Sequence, residues 1–134
     1  MPLYSPMERS PGGAGLSAAR ARAAAEAIDR ARAETVRLID SLSRLWDNVV
    51  AASALTGNDD EHDPEGATVA FERAQLRDAL KQARADLADL DRAFERLRTG
   101  AYGTCERCGG PIGAERLDAR PTARTCIDCA GGPG

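Results

Sequence analysis

CERCGGPIGAERLDARPTARTCIDC, residues 105–129, holds all four cysteines of the chain. Cys105 and Cys108 make one CxxC turn and Cys126 and Cys129 make another, with seventeen residues between the pairs. Each turn presents two sulfurs to one point, and the spacing is that of a four-cysteine zinc site. Zinc suits four thiolates in a tetrahedron at about 2.3 Å. Disulfides and reactive thiols are the competing readings of the same residues. Gly109 and Gly110 follow the first pair, where the chain must turn tightly. Four protein ligands leave no coordination position for water, so one structural Zn2+ is expected and hydrolytic zinc chemistry is disfavoured. Such an ion contributes on the order of 10 kcal/mol to folding, more than a few buried leucines at roughly 1.5–3 kcal/mol each. The finger, residues 100–130, is therefore expected to unfold without metal, followed by a flexible end at 131–134.

Working upstream, the pattern turns helical. Ile28, Ala31, Thr35, Leu38, Leu42, Leu45 and Val49 alternate three and four apart, a heptad seam. Leu76, Leu80, Ala83, Leu87, Leu90, Phe94 and Leu97 repeat the spacing, and Gly100 ends the run. Asp63-Pro64-Glu65 reads as the start of the second helix: Asp as N-cap, Pro at the first helical position, Glu in the first turn. Two such helices joined by a short turn form an antiparallel coiled-coil hairpin over residues 16–99. Folding about residue 61 sets Ile28 near Phe94 and Leu97, and Trp46, beside the seam as core padding, near Leu76. The seams could also drive dimerisation, but the short turn keeps the partner helix close, so a monomer is expected. The fold class is mainly α: a long hairpin followed by a small zinc finger.

The turn of this hairpin, GNDDEHDPEG at 57–66, gathers Asp59, Asp60, Glu61, Asp63 and Glu65 around the sole histidine, His62. His62 reads as a solvent-exposed turn residue. The acids either cap the helix and keep the turn solvated, or meet a cation or basic group elsewhere.

Composition narrows the function classes. Net charge is −3 with a pI near 5.2, which argues against a general nucleic-acid coat. Arg107, Arg116, Arg120 and Arg124 of the finger are balanced by Glu106, Glu115, Asp118 and Asp128, so sequence-specific DNA reading is not expected. No Ser-His-Asp set exists, so an enzyme is not expected. Residues 1–15, MPLYSPMERSPGGAG, read as a disordered tail without the features of a secretion signal. No run is apolar enough to cross a membrane, and a soluble, cytoplasmic protein is expected.

The order of parts carries a resemblance. After the hairpin come Gly100, Tyr102, Gly103, Cys105, Cys108 and Gly109, then Arg116, Leu117, Ala119, Pro121, Ala123, Cys126 and Cys129. These positions resemble the DksA/TraR family of C4 zinc-finger proteins. The resemblance implies direct binding to the RNA polymerase core, without sequence-specific DNA contact. The hairpin tip would enter the secondary channel and the finger would stay near its rim. It also implies a tip contact at Asp63 and Thr68, with Asp59 and Asp60 across the turn as electrostatic substitutes for a missing tip carboxylate, and, as in some relatives, a contact between Arg120 and guanosine tetraphosphate. Asp63 aligns with the first aspartate of the family's D-x-x-D-x-A tip, but Gly66 and Thr68 stand where the second aspartate and the alanine belong. Five residues follow Cys129, where family members commonly carry a further helix. These departures keep a second reading open: a zinc-stapled interaction module of the same fold that has lost active-centre regulation.

Overall fold

The computed structural model describes residues 16–56 and 64–131. The tail at 1–15 and the turn residues Asp59, Asp60, Glu61, His62 and Asp63 lie outside the described residues. Four helices follow in order: α1 (Ala18–Thr56), α2 (Pro64–Thr99), α3 (Ala114–Ala119) and α4 (Ile127–Gly131). At about 1.5 Å per residue the 39 residues of α1 and 36 of α2 are each over 50 Å long. Neither helix is apolar enough to cross a membrane.

The described ends of the long helices have local causes. The Ser17 hydroxyl accepts the Arg20 amide at 3.1 Å, so Ser17 caps α1. α2 begins at Pro64, whose missing amide would be unpaired in a first turn anyway. Its other end is a Schellman turn. The Ala101 amide donates to the Arg96 carbonyl at 2.8 Å and the Gly100 amide to Leu97 at 3.3 Å. Gly100 takes φ +85°, the left-handed conformation this closure demands.

Packing divides the described residues into two units. One contains residues 33–88, the greater part of the hairpin. Here Leu80 and Ala83 of α2 are buried, against half-buried Thr35, Ile39, Leu42, Trp46 and Val49 of α1. This corrects the expected seam. Leu38 and Leu45 are each 49% exposed, and Ile39 and Trp46 take their places. The step from Thr35 to Ile39 is four residues rather than three, so the seam shifts phase by one position there. A helix of 3.6 residues per turn drifts off a strict seven-residue repeat, and an extra four-residue step absorbs the drift. Trp46 then sits on the seam, with the guanidinium carbons of Arg73 and Arg77 at 5.6 and 5.8 Å from its ring centroid. Those two arginines flank Leu76, so the expected register about residue 61 holds.

The other unit joins residues up to Arg32 with residues from Asp89 onward. Its core contains Ile28, Leu90, Ala93, Tyr102, Cys105, Ile112, Leu117 and Ala123. Ile28 is fully buried, and Leu16 and Leu97 pack against the cluster. Phe94, expected in the seam, is 48% exposed; Ala93 is buried in its place. Ala93 faces a crowded cluster where α1 and the finger both approach α2, and the ring of Phe94 stays outside it. Arg32 Nε donates to Asp91 Oδ1 at 2.7 Å, a further pair in the same register.

The two seams make opposite forecasts. Ile28→Ala should lower unfolding free energy by about 2–5 kcal/mol. Leu38→Ala and Phe94→Ala, at half-exposed positions, should each cost well under half of that. Chemical denaturation followed by circular dichroism measures both, and equal losses at Leu38 and Ile28 would contradict the shifted seam.

Candidate metal centre

One side chain, Arg96, ties the end of α2 to the start of the finger. Arg96 Nη2 donates to the carbonyls of Thr104 at 2.6 Å and Ala101 at 3.1 Å, and Nη1 faces Glu106 Oε2 at 3.5 Å. Its own carbonyl accepts the amides of Ala101 and Tyr102. The chain then enters the first knuckle. Gly103 takes φ +88°, and a Cβ there would come within 2.9 Å of Leu16 Cδ1. The leucine tip could move aside; the backbone angle is the stricter demand for glycine.

The first CxxC is a closed turn. The Cys105 amide donates to Gly110 O at 2.7 Å and the Gly109 amide to Cys105 O at 3.0 Å, with Gly109 at φ +76°. Thr104 and Pro111 form an isolated antiparallel bridge beside it. The amides of Arg107 and Cys108 point at Cys105 Sγ, at 3.4 and 3.5 Å, and the Gly110 amide points at Cys108 Sγ at 3.4 Å. Donors aimed at sulfur favour thiolate over thiol.

The second CxxC is carried on α4, which holds Cys129. The Arg116 guanidinium of α3 anchors the approach to it, Nε donating to Thr125 O at 2.8 Å. The Glu106 amide donates to Arg124 O at 2.8 Å, tying the first knuckle to the segment before the second. Tyr102 closes the far side: its ring is buried and its hydroxyl donates to Pro121 O at 2.8 Å. Burial pushes the Tyr102 phenol above its usual value.

These constraints bring the sulfurs of Cys105, Cys108, Cys126 and Cys129 within 4.8 Å of one another. Cys108 Sγ and Cys126 Sγ lie 3.8 Å apart. A disulfide needs about 2.05 Å. Tetrahedral zinc with sulfurs at about 2.3 Å separates them by about 3.8 Å. The set therefore fits a metal and not a disulfide between that pair. The charges argue the same way. The Cys108 amide leads the donors that pull the Cys105 thiol down to about 6, while hydrogen bonding led by Cys126 pushes the Cys129 thiol up to about 12. Four sulfurs this close resist sharing more than one negative charge unless a cation sits among them.

Other candidate residues fall elsewhere. Thr68 is exposed on α2, and Asp59, Asp60 and Asp63 lie outside the described residues. Arg120 is exposed at the C-terminal cap of α3 and does not share the cysteine cluster. The sequence reading missed the anchoring parts: Arg96, Leu16 and the Tyr102–Pro121 bond. Tyr102 and Pro121 do stand among the motif residues, but a motif gives no role to either.

Residues 100–132 match the model of the prokaryotic dksA/traR C4-type zinc finger. The solved structure of the transcription factor DksA2 from Pseudomonas aeruginosa superposes with a TM-score of 0.74 at 28% identity, covering 90% of this chain and 87% of that one. Residues 100–132 thus carry a dksA/traR-type C4 zinc finger, on a helical hairpin fold shared with DksA2. Other relatives agree over a shorter stretch. The RNA polymerase-binding transcription factor DksA of Caulobacter vibrioides is 45% identical over 42 residues, 31% of this chain and 30% of the relative. That of Haemophilus influenzae is 48% identical over 40 residues, 30% of this chain and 28% of the relative. The chain thus spans about a third or less of the length of the curated relatives it matches. In a C4-type finger the four clustered cysteines are the candidate zinc ligands, and four protein ligands would fill a tetrahedral site.

Two measurements bear on this geometry. Cys105→Ser should abolish stoichiometric zinc and the finger's protection from proteolysis, leaving most helical circular dichroism from α1 and α2; retained zinc would contradict the site. Metal binding requires thiolates, so affinity should fall as pH drops from 8 toward 6 and below, where protons compete for all four sulfurs. Competition against a chelator across that range reads the trend, and a pH-independent affinity would refute thiolate ligation.

Proposed function

We propose that the protein is a cytoplasmic transcription regulator that binds the RNA polymerase core and inserts the hairpin tip into the secondary channel. The observation that carries this reading is the likeness to DksA2, which covers hairpin and finger together. The relatives named as RNA polymerase-binding factors support it. In this proposal one Zn2+ staples the finger, and regulation proceeds without turnover or sequence-specific DNA contact. Arg124 faces Glu106 and Arg116 binds the Thr125 carbonyl, so part of the finger's positive charge is spent internally. A monomer suits the mechanism, because a paired tip could not enter a narrow channel. The acids Asp59, Asp60 and Asp63, with Thr68 on the adjoining turn of α2, form the proposed contact with the active centre. Arg120 is the proposed contact for guanosine tetraphosphate.

One feature favours the second reading, a protein-interaction module that has lost active-centre control. Gly66 lies in the first turn of α2 and Thr68 is exposed beyond it, where the family pattern has aspartate and alanine. A carboxylate is thus missing from the tip.

Co-purification with core polymerase decides between them. The regulator reading expects the protein to retain core enzyme and to alter initiation in a purified transcription assay. Asp63→Asn should then reduce the transcriptional effect several-fold while changing polymerase binding by less than about twofold. Binding with no transcriptional effect would leave the interaction module, and no binding to core enzyme would sink both the channel proposal and its tip assignment.

A further inference from the structure

Six arginines of the described residues face carboxylates: Arg32, Arg44, Arg92, Arg96, Arg98 and Arg124. Among the remaining cations, three stand in a row on α2. Arg77, Lys81 and Arg84 are exposed on successive turns of α2, and none of them forms an ion pair among the described residues. Spacings of four and three residues put them on one helix face, about 10 Å from end to end. Like charges at this spacing repel one another.

The row borders a cavity of about 510 Å3. Trp46 and Leu80 supply its apolar lining, with Ser43 and Asp47 on the α1 side. Arg77 is held in place by the indole, at 5.8 Å from the ring centroid. Among the lining residues Asp47 is the one carboxylate against three cations, and Asp78 lies beside the row on α2, so the lining itself carries a net charge of about +2. The volume falls within the range of about 300–1,000 Å3 typical of small-ligand sites. Guanidinium forks match pairs of phosphate oxygens, and a lysine adds a compact point charge. A ligand carrying two or more negative charges over a few ångströms would relieve the repulsion along the row.

We propose that this cleft binds a diphosphate group, either as free pyrophosphate or as part of a nucleotide. The residues engaged are Arg77, Lys81 and Arg84, with Ser43 within the same cavity. The site is separate from the cysteine cluster and from Arg120, and it does not depend on polymerase binding.

Trp46 is the sole tryptophan, so its fluorescence reads the cleft directly. The zinc-loaded full chain is titrated at low salt with sodium pyrophosphate and, separately, with adenosine diphosphate, by fluorescence and by calorimetry. Zinc content is checked after each titration, because pyrophosphate also chelates metals. Saturable one-to-one binding is expected, weakened at least tenfold in Lys81→Ala/Arg84→Ala with circular dichroism and zinc content unchanged. Tighter binding of the nucleotide than of pyrophosphate identifies a nucleotide, with its ring against Trp46; equal or weaker binding identifies the free diphosphate. The proposal is overturned if neither titrant saturates, or if the double variant binds as well as the parent chain. It is also overturned if a glutamate-rich peptide binds as tightly as pyrophosphate, which would make this face a protein-docking surface.

Discussion

Four sulfur atoms held within 4.8 Å can all ionise only around a cation. That electrostatic constraint governs the finger, and through Cys105 it reaches the hairpin. Cys105 belongs to the same buried cluster as Ile28 of α1 and Leu90 and Ala93 of α2. A candidate metal ligand is therefore also a core residue. A finger with so few apolar side chains needs such a staple, and the helices in turn give the knuckle a wall to pack on. Neither part has a complete core of its own at this end of the hairpin.

Much of this was legible in the residues. The two CxxC turns name the four sulfurs that the fold brings within 4.8 Å of one another, because few other chemistries use that spacing. Pro64 and Gly100 mark helix ends because proline lacks an amide and glycine tolerates positive φ. The pairing register followed from a short turn, and the Arg32–Asp91 and Trp46–Arg73/Arg77 contacts agree with it. The phase of the seam was not legible. Leu38 and Ile39, or Leu45 and Trp46, are neighbours of similar apolar character, and periodicity alone cannot choose between adjacent rows. Geometry settles it through the four-residue step at Thr35. Phe94 lost to Ala93 because the base of α2 serves two neighbours, and sequence spacing shows only one.

The polar contacts were hidden for a different reason. Tyr102 reaches Pro121 and Arg96 reaches Ala101 and Thr104 through backbone carbonyls, which every residue offers. No residue type at the acceptor position announces the bond. The likeness to DksA2 covers the fold from hairpin to finger, while Gly66 stands in the tip sequence where the family pattern has an aspartate.

Arg96 carries a broader implication. Its flat, rigid fan of donors serves two carbonyls and a carboxylate at once, while only about an eighth of its side chain meets solvent (13%). A lysine offers the same charge from a single flexible point and cannot span three acceptors in fixed directions. Where an arginine of this chain meets a single carboxylate a lysine could serve, but at Arg96 one planar group bridges the end of α2 and the first knuckle, so its shape matters there more than its charge.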